Sequence, residues 1–329
     1  MKNIAVLGAT GLVGTEVVKI LEQRNFPTKD LFLFASEQST GITINFKDRE
    51  IEVLPDYEVF INNVDLVFCC LEEDLAKDIV PKFKDKAIVI DNSSVYRLEP
   101  EVPLVIPEIN PEKIKEHKGI IANPNCSTIQ MLVPLYPLHK KAKIKRIFVA
   151  TYQSVSGYGR DAVDELKFEF EYLGMGQDIE KLEEHIFAHP IGGNIIPQIG
   201  SFDTEGYTKE EMKLLNETRK ILNDDSIKVT STCVRIPVFY GHSEVISVEF
   251  KNPISIEEAM NILEDAPGVK LAEKEDNYPM PIYVVGKDEV FVGRVRKDLA
   301  FKNGLAMWVV ADNIRKGAAL NAVQIAELL

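Results

Sequence analysis

The segment KNIAVLGATGLVG, residues 2–14, decides the fold of the N-terminal part of the chain. Residues 2–7 have the composition of a buried strand, and a glycine-rich turn follows directly. Apolar residues then recur at helical spacing at Val13, Val17, Ile20 and Leu21. A strand, a glycine turn and a helix in this order form the phosphate-binding unit of doubly wound folds. The glycines follow a GxxGxxG pattern rather than GxGxxG, and their context still predicts a dinucleotide whose pyrophosphate lies at the helix N-terminus.

Short apolar runs continue this pattern through the first third of the chain. Residues 31–35, 65–71 and 87–90 predict buried strands, separated by polar or helical segments. Strands that alternate with helices predict an α/β fold with a parallel, doubly wound, Rossmann-like sheet, which binds ligands at the carboxyl ends of its strands. The segments expected at such ends carry polar residues: 36–37, 91–94 and 123–128.

After residue 127 the predicted strands outnumber the helices. The strands are expected at residues 144–156, 229–236, 244–251, 290–295 and 305–312. The helices are expected at residues 160–173, 209–222, 255–265 and 317–329. This order predicts an α+β domain with a mainly antiparallel sheet. We therefore predict two domains: residues 1–126 with the C-terminal helix 314–329 bind the dinucleotide, and residues 127–313 form the second domain.

The composition narrows the class of protein. The chain has 329 residues, of which 45% are hydrophobic and 27% are charged, so two domains of an ordinary folded protein are expected. A formal net charge of −13 argues against nucleic acid or an anionic membrane as the partner, whereas a local basic cluster would still allow an anionic substrate. No apolar run reaches the roughly 20 residues of a membrane helix. We expect a cytoplasmic enzyme without a signal peptide, a disulfide framework or a zinc site.

Cys126 is the first candidate for chemistry. It lies between a short apolar run at residues 119–122 and apolar residues at helical spacing from Ile129 onward. Unpaired backbone N–H groups at the start of a helix favour a thiolate and can hold the oxyanion formed when a carbonyl is attacked. The residues alone leave a second interpretation open, a small packing cysteine in a helix-capping turn. We expect a packing role for the three other cysteines: Cys69, Cys70 and Cys233.

A cysteine nucleophile needs a base, and the chain has five histidines. His117 and His139 lie in charged, helix-like surroundings and are expected in solvent. His185 and His189 lie in an irregular stretch and are expected to be structural. His242 follows a predicted strand that runs into a loop, and an arginine precedes it by seven residues. His242 is therefore the candidate base.

In their order and spacing, several short motifs resemble the aspartate-semialdehyde dehydrogenase family over essentially the whole chain. The matching stretches are residues 8–14, 92–94, 123–128, 153–159, 189–191, 196–198, 235–237, 242–244 and 316–319. Each motif is weakly specific by itself, and the set is strongly so. The resemblance implies that residues 127–313 are a catalytic and dimerisation domain.

The resemblance also implies a role for individual residues. Cys126 becomes the acyl-accepting nucleophile, His242 its acid and base, and Gln153 the residue that orients the acyl group. Arg235 is expected to bind the α-carboxylate of the substrate, and Glu217 is expected to face its amino group. The residues implied at the leaving phosphate are Arg97, Asn125 and Lys220.

The family generally uses NADP, and the positions implied at the dinucleotide come from the glycine turn, the segment after the second strand and two later sites. They are Gly8, Thr10, Gly11, Leu12, Val13, Gly14, Ser36, Glu37, Ser39, Gly157 and Gln324. The family's basic residues at the 2′-phosphate fall on Gln38 and Ile42. Glu37 lies 23 residues after Gly14, near where an acidic side chain binds the ribose of NAD. We therefore expect NADP from the resemblance, with NAD as the open alternative.

The implied reaction is the reductive dephosphorylation of L-4-aspartyl phosphate to L-aspartate 4-semialdehyde through a cysteine thioester. It belongs to the biosynthesis of lysine, threonine, methionine and diaminopimelate. The implied partners are this small anionic substrate and further copies of the chain, in a homodimer or homotetramer. Three alternatives stay open: N-acetyl-gamma-glutamyl-phosphate reductase, which shares the fold and chemistry; a cysteine hydrolase with a Rossmann-like domain; and a non-catalytic redox sensor that binds a dinucleotide.

Overall fold

A computed structural model describes residues 1–182, 185–272 and 277–329. It divides into two compact units, residues 1–125 with 317–329 and residues 126–316. The strands are β1 (Lys2–Leu7), β2 (Thr28–Phe34), β3 (Thr43–Phe46), β4 (Arg49–Leu54), β5 (Leu66–Cys69), β6 (Ile88–Asp91), β7 (Ile120–Ala122), β8 (Ile144–Gln153), β9 (Lys228–Arg235), β10 (His242–Phe250), β11 (Val269–Leu271), β12 (Val290–Lys297) and β13 (Gly304–Ala311). The α-helices are α1 (Leu12–Gln23), α2 (Glu73–Ile79), α3 (Cys126–Ala142), α4 (Arg160–Gly174), α5 (Lys209–Leu222), α6 (Ile256–Glu264), α7 (Pro281–Val284) and α8 (Leu320–Glu327). No helix in the described ranges has the length and apolar character that crossing a membrane requires.

The first unit is built on a seven-stranded sheet in the order β3-β4-β2-β1-β5-β6-β7. All neighbouring strands are parallel except β3 and β4. Side chains alternate along β1: Ile4 and Val6 enter a core with α1 and α8, and Ala5 and Leu7 enter a second core with α2. Because both faces of the strand are covered there, β1 is apolar from Ile4 to Leu7. The predicted doubly wound sheet is confirmed.

The strand order reverses direction at β1. The chain leaves β1 for β2 on one side and later returns to β5 on the other side. The carboxyl ends of β1, β2 and β5 therefore border one crevice, and in open α/β sheets such a switch point is where dinucleotides bind.

The second unit is built on a six-stranded sheet in the order β11-β12-β13-β10-β8-β9. The three central pairs are antiparallel, and the two outermost pairs are parallel. The predicted, mainly antiparallel sheet is confirmed. Along β10, His242, Glu244 and Ile246 share one buried face. Helix α3 packs against β10 and β13, and α5 packs against β9, so this face of the sheet carries the helices.

Several local features depart from the sequence prediction. The edge hairpin formed by β3 and β4 was not predicted, nor were the short strand β11 and the short helix α7. The C-terminal segment is not one helix, because a π-helical turn at Arg315–Ala319 precedes α8. Helix α8 still joins the first unit as predicted, where its apolar residues enter the core beside α1.

Candidate active site

The glycine turn after β1 has the geometry that a dinucleotide requires. The backbone N–H of Gly8 donates to the carbonyl of Phe34 at the end of β2, at 2.9 Å. Gly8 has a φ of +77°, and a Cβ there would lie 2.5 Å from the carbonyl oxygen of Cys70. A Cβ on Gly14 would lie 2.2 Å from the carbonyl oxygen of Gly8. These glycines therefore let α1 pack close to β1 and leave its first N–H groups open to an anion.

Other predicted cofactor residues surround this turn in the first unit. Gly11 is the N-cap of α1 and supplies no side-chain cap, and Leu12 and Val13 begin the helix. The hydroxyls of Thr10 and Ser39 lie 3.2 Å apart, so two predicted donors are brought together. The side chains of the segment after β2 are exposed at Ser36, Glu37 and Gln38. The backbone N–H groups at the start of α1 and the hydroxyls of Thr10 and Ser39 are hydrogen-bond donors, and donors of this kind fit a nucleotide phosphate.

The two remaining cofactor candidates lie elsewhere. Gln324 is on α8, and its Nε2 donates to Glu108 Oε1 at 3.2 Å. Gly157 belongs to the second unit, where a Cβ on it would lie 3.0 Å from Arg235 Nη1 and 3.2 Å from His242 Nε2. Its lack of a side chain therefore leaves space beside these two groups. The cofactor role of Gly157 and Gln324 stays a prediction.

Arg97 is a buried residue of the first unit rather than a surface residue. It is 8% exposed, and its Nε donates to the carbonyl of Asn123 at 2.9 Å. Its Nη2 donates to the carbonyl of Asn92 at 2.8 Å. Arg97 thereby joins the ends of β6 and β7 and holds the segment that leads through the buried Asn125 to Cys126. Whether Arg97 and Asn125 also contact phosphate stays a prediction.

Cys126 is the first residue of α3. It is half-buried, whereas Ser127 and Thr128 in the same turn are buried. Of these three side chains, that of Cys126 has the most access to solvent. It lies at the start of the helix, where the first backbone N–H groups have no partner within the helix. The other cysteines differ in their surroundings. None of the four cysteines forms a disulfide, and burial raises the pKa of Cys69 and Cys233, which keeps them as inert thiols.

His242 begins β10 and is fully buried. Its Nδ1 accepts a hydrogen bond from the backbone N–H of Ser154 at 3.0 Å. Its Nε2 is buried and has no hydrogen-bond partner within the described residues. Burial and then the charge of Arg235 lower the pKa of His242 to about 3, and the charge of Glu210 opposes them. The imidazole is therefore neutral near neutral pH, with Nε2 available for chemistry.

Arg235 ends β9 and is 3% exposed. Its Nη1 donates to the carbonyl of Ser154 at 2.6 Å, and the Phe187 ring lies over its guanidinium, 5.6 Å from the ring centroid. Burial lowers the pKa of Arg235, and the charges of Glu210 and Cys126 oppose this effect. Arg235, His242, Glu210 and Cys126 thus form one electrostatically coupled group within the second unit.

Gln153 ends β8 and is buried beside a carboxylate that the sequence did not predict for the site. Its Nε2 donates to Glu210 Oε1 and to Thr151 Oγ1, each at 3.2 Å. Glu210 Oε2 in turn lies 3.3 Å from Lys213 Nζ. The structure therefore brings Glu210 to Gln153.

The predicted pair Glu217 and Lys220 lies seven residues further along the same helix, α5. Glu217 is buried and Lys220 is half-buried, so Glu217 is not the solvated residue that its charged helix indicates. The pairs Glu210–Lys213 and Glu217–Lys220 have the same i, i+3 spacing, and seven residues bring the helix back to nearly the same face. The sequence contains no signal that separates them.

Two further residues were missed by the sequence prediction. Asn313, just after β13, accepts a hydrogen bond from Ser154 Oγ at 3.1 Å through its Oδ1. Gln130, one turn after Cys126, donates to the backbone carbonyl of His242 at 3.2 Å. The only signal for either residue in the sequence is that it lies close to one of the stretches that match the family.

The expectation that His139 is solvated is wrong. His139 is 7% exposed, and its Nδ1 accepts a hydrogen bond from the backbone N–H of Ile144 at 3.2 Å.

Two family models match the chain. A semialdehyde dehydrogenase NAD-binding domain matches residues 3–117, and a semialdehyde dehydrogenase dimerisation domain matches residues 135–316. The chain is also 54% identical to an aspartate-semialdehyde dehydrogenase of Aquifex aeolicus, over 99% of this chain and 97% of that protein. The chain belongs to the aspartate-semialdehyde dehydrogenase family. Its NAD-binding domain indicates a nicotinamide cofactor, and its dimerisation domain indicates assembly with further subunits.

Solved structures of aspartate-semialdehyde dehydrogenases share this fold. The Vibrio cholerae aspartate-semialdehyde dehydrogenase II, complexed with ASA, matches with a TM-score of 0.97 and 46% identity, over 100% of this chain and 98% of that one. A Candida albicans enzyme solved with NADP matches with a TM-score of 0.75 and 28% identity, over 100% of this chain and 98% of that one. The prediction of an aspartate-semialdehyde dehydrogenase is confirmed, and N-acetyl-gamma-glutamyl-phosphate reductase is not favoured.

Proposed function

We propose that Cys126 is the nucleophile of an aspartate-semialdehyde dehydrogenase that converts L-4-aspartyl phosphate to L-aspartate 4-semialdehyde, in the biosynthesis of lysine, threonine, methionine and diaminopimelate. The observation that carries the proposal is the space that Gly157 leaves beside both Arg235 Nη1 and His242 Nε2. The charge of Cys126, which opposes the lowering of the pKa of Arg235, supports it. A half-buried thiol, a neutral imidazole and a fixed guanidinium are the groups that acyl transfer from an anionic substrate needs.

The bond changes follow from these groups. The thiolate of Cys126 attacks the acyl carbon, the bond from that carbon to the phosphate oxygen breaks, and phosphate leaves with the electron pair. The N–H groups at the start of α3 support the oxyanion formed in this step. When the nicotinamide is bound, it supplies the hydride that reduces the thioester. The thiohemiacetal oxyanion on Cys126 then re-forms its carbonyl as the C–S bond breaks, so sulfur leaves as thiolate and the semialdehyde is released. The proton that His242 Nε2 took from the thiol returns to sulfur.

The substrate contacts are proposed from the same group of residues. Arg235 offers a planar, charged fork to the substrate carboxylate, and Gln153 orients the acyl group. The contact of Glu210 with Gln153 supports Glu210, with Lys213 beside it, as the acidic residue that faces the substrate amino group. Glu217 and Lys220 remain the pair predicted from the resemblance, and the two assignments are separable by experiment.

For the cofactor, we propose that the first unit binds a nicotinamide dinucleotide at Gly8–Gly14, Thr10 and Ser39, and that the preference for NADP over NAD is weak or reversed. The close packing at Gly8 and Gly14 and the pairing of the two hydroxyls support the binding. Gln38 and Ile42, which replace the family's basic residues, support the weak preference. We also propose the predicted division of labour, with residues 1–126 and 314–329 binding the dinucleotide and residues 127–313 carrying catalysis and dimerisation.

The assembly is proposed to be a homodimer or a homotetramer. The match of residues 135–316 to a dimerisation domain supports a symmetric association of copies through the second unit. Light scattering after size-exclusion chromatography measures the mass directly. A mass of one chain at every protein concentration would contradict the proposal.

The proposed reaction is tested in the reverse direction with L-aspartate 4-semialdehyde, phosphate and oxidised nicotinamide dinucleotide. We expect phosphate-dependent growth of the reduced nicotinamide absorbance. Turnover without phosphate would instead indicate a hydrolytic dehydrogenase, and turnover with N-acetylglutamate semialdehyde alone would indicate the related reductase. No change in absorbance with either aldehyde and either dinucleotide would reject the proposed function.

A further inference from the structure

The ring of His242 meets two different groups of one residue. Its Nδ1 accepts from the backbone N–H of Ser154 at 3.0 Å. The Oγ of the same serine also lies 3.0 Å from Nδ1. The backbone N–H donates to Nδ1 when that nitrogen is unprotonated, and the Oγ can accept a hydrogen bond from Nδ1 when it carries a proton.

An acid and base that works through Nε2 needs both kinds of contact. In the neutral ring with its proton on Nε2, Nδ1 is an acceptor, and the Ser154 N–H satisfies it. Before Nε2 can accept a proton, the ring must carry its other proton on Nδ1. That proton then faces a backbone N–H and needs an acceptor, which Ser154 Oγ provides.

Asn313 prepares the serine hydroxyl for this role. The backbone N–H of Gly241 donates to Asn313 Oδ1 at 2.9 Å, and Asn313 Nδ2 donates to Ser156 Oγ at 3.0 Å. These contacts fix the orientation of the amide, with Oδ1 as the acceptor. Ser154 Oγ lies 3.1 Å from Oδ1 and donates to it. The hydroxyl hydrogen is therefore directed at Asn313, and a lone pair of Oγ remains for Nδ1–H.

We propose that Ser154, held by Asn313, is the positioning residue that lets His242 exist in both protonation states. The Ser154 N–H supports the ring that carries a proton on Nε2 alone, and Ser154 Oγ supports the ring that also carries one on Nδ1. This inference rests on the proposed role of His242. When the thiol of Cys126 gives its proton to Nε2, the S–H bond breaks, its electron pair stays on sulfur, and Nδ1–H donates to Ser154 Oγ.

The charges around the ring explain why such an acceptor matters. Arg235 on β9 disfavours the charged ring, and Glu210 on α5 favours it. Helix α3 contributes Cys126 to the same group, and burial raises the pKa of Glu244 on β10, which favours its neutral form. Burial opposes the imidazolium most of all. A hydrogen bond to the charged form offsets part of this cost.

The experiment uses the full-length enzyme with Ser154→Ala and the control Ser231→Ala, which removes a buried hydroxyl outside this network that donates to the carbonyl of Glu211 at 3.3 Å. Ser154→Ala keeps the backbone N–H and loses only the acceptor. We expect kcat to fall roughly ten- to a hundredfold with little change in KM, the loss of one hydrogen bond to a charged group. The rate at which iodoacetamide alkylates Cys126 at pH 7, followed on its peptide, should fall by about tenfold, because the reactive thiolate forms together with a minor population of imidazolium. Ser231→Ala should leave this rate unchanged.

Two further measurements keep the inference falsifiable if one variant folds poorly. Asn313→Ala should lower the alkylation rate at pH 7 in the same direction as Ser154→Ala. In the wild-type enzyme, 15N NMR of labelled histidine should show His242 predominantly neutral at pH 7 with its proton on Nε2. A predominant imidazolium at pH 7, an unchanged alkylation rate in Ser154→Ala, or an equal loss in Ser231→Ala would overturn the inference. Activity of Cys126→Ala would instead overturn the proposed function, so the two failures are distinguishable.

Discussion

The side-chain amide of Gln130 donates a 3.2 Å hydrogen bond to the backbone carbonyl of His242. Gln130 lies one turn after Cys126 on α3, and His242 is the first residue of β10. A second bond, of 3.4 Å, joins the same amide to the carbonyl of Val309 on β13. One buried amide therefore ties the helix that begins with the nucleophile to the strand that begins with its partner.

Replacing Gln130 should weaken both the fold and the chemistry. Gln130→Met keeps the length of the side chain but removes the amide that donates to two buried carbonyls. We expect the free energy of unfolding to fall by about 1–3 kcal/mol. We expect kcat to fall about tenfold, equivalent to about 1.4 kcal/mol. Urea unfolding and steady-state kinetics measure the two effects. Met131→Leu, a buried neighbour without a polar group, is the control and should retain kcat.

The nucleophile is tested by Cys126→Ala, with Cys69→Ala as the control at a buried cysteine. We expect Cys126→Ala to retain less than about a thousandth of the wild-type turnover, because a covalent nucleophile commonly contributes at least that factor. Binding of the dinucleotide, followed by nicotinamide fluorescence, should remain. Residual turnover above that level would place the nucleophile elsewhere.

The two acidic candidates on α5 are separated by a matched pair of variants. Glu210→Gln removes the charge that meets Gln153, while Glu217→Gln makes the same change two helical turns away. If Glu210 faces the substrate amino group, only Glu210→Gln should lower kcat/KM strongly, by roughly tenfold to a hundredfold for one charged contact. Lys213→Ala and Lys220→Ala extend the comparison to the phosphate. A loss confined to Glu217→Gln would favour the assignment made from the resemblance.

The sequence predicted those parts of the fold that depend on local pattern. The turn between β1 and α1 was predicted because its glycines and its apolar spacing lie within one short segment. Helix α5 has the predicted bounds, Lys209–Leu222, because a capping box and an amphipathic pattern define it locally. The edge hairpin β3–β4 was missed although its apolar and polar residues alternate, because both strands are short. Its turn at Lys47 and Asp48, where both φ values are positive, also lacks the glycine or asparagine that signals a hairpin.

The environment of single polar residues could not be predicted in the same way. Arg97 and His139 carry the local signals of surface residues, yet tertiary contacts with backbone groups hold both in the interior. The resemblance, not the residue pattern, pointed to Arg97. Asn313 was missed because its partners, Ser154 and Gly241, are distant in sequence. Such contacts become visible only when the strands are assembled.

The geometry of Arg235 makes its replacement by lysine informative. Arg235 uses Nη1 on the carbonyl of Ser154 and lies against the Phe187 ring, so its guanidinium plane is fixed. A lysine ammonium keeps the charge but replaces neither the plane nor the fork. We expect Arg235→Lys to lower kcat/KM by roughly a hundredfold, or about 2.7 kcal/mol. Arg296→Lys, the same change at an exposed position, is the control. Normal kinetics in Arg235→Lys would remove Arg235 from the substrate pocket.

The cofactor preference depends on the segment that follows β2. Glu37 and Gln38 are exposed there, and Ile42 is 46% exposed, so none of the three positions offers a cation to a 2′-phosphate. At about 5 Å and an effective dielectric of about 20, a carboxylate and a phosphate charge repel by about 3 kcal/mol, and salt reduces this further. The hydroxyls of Thr10 and Ser39 act in the opposite direction, because both can donate to a phosphate.

These opposing contributions predict a weak or reversed preference for NADPH. Gln38→Arg should raise kcat/KM for NADPH by about tenfold or more, since it adds a charge-assisted hydrogen bond, and should leave NADH nearly unchanged. Gln38→Leu is the control that changes the side chain without adding charge. The six values of kcat/KM, for three enzymes and two dinucleotides, are measured at one ionic strength because the contact is screened by salt. A wild-type preference for NADPH above about a hundredfold that the arginine does not change would show that the 2′-phosphate is bound by other residues.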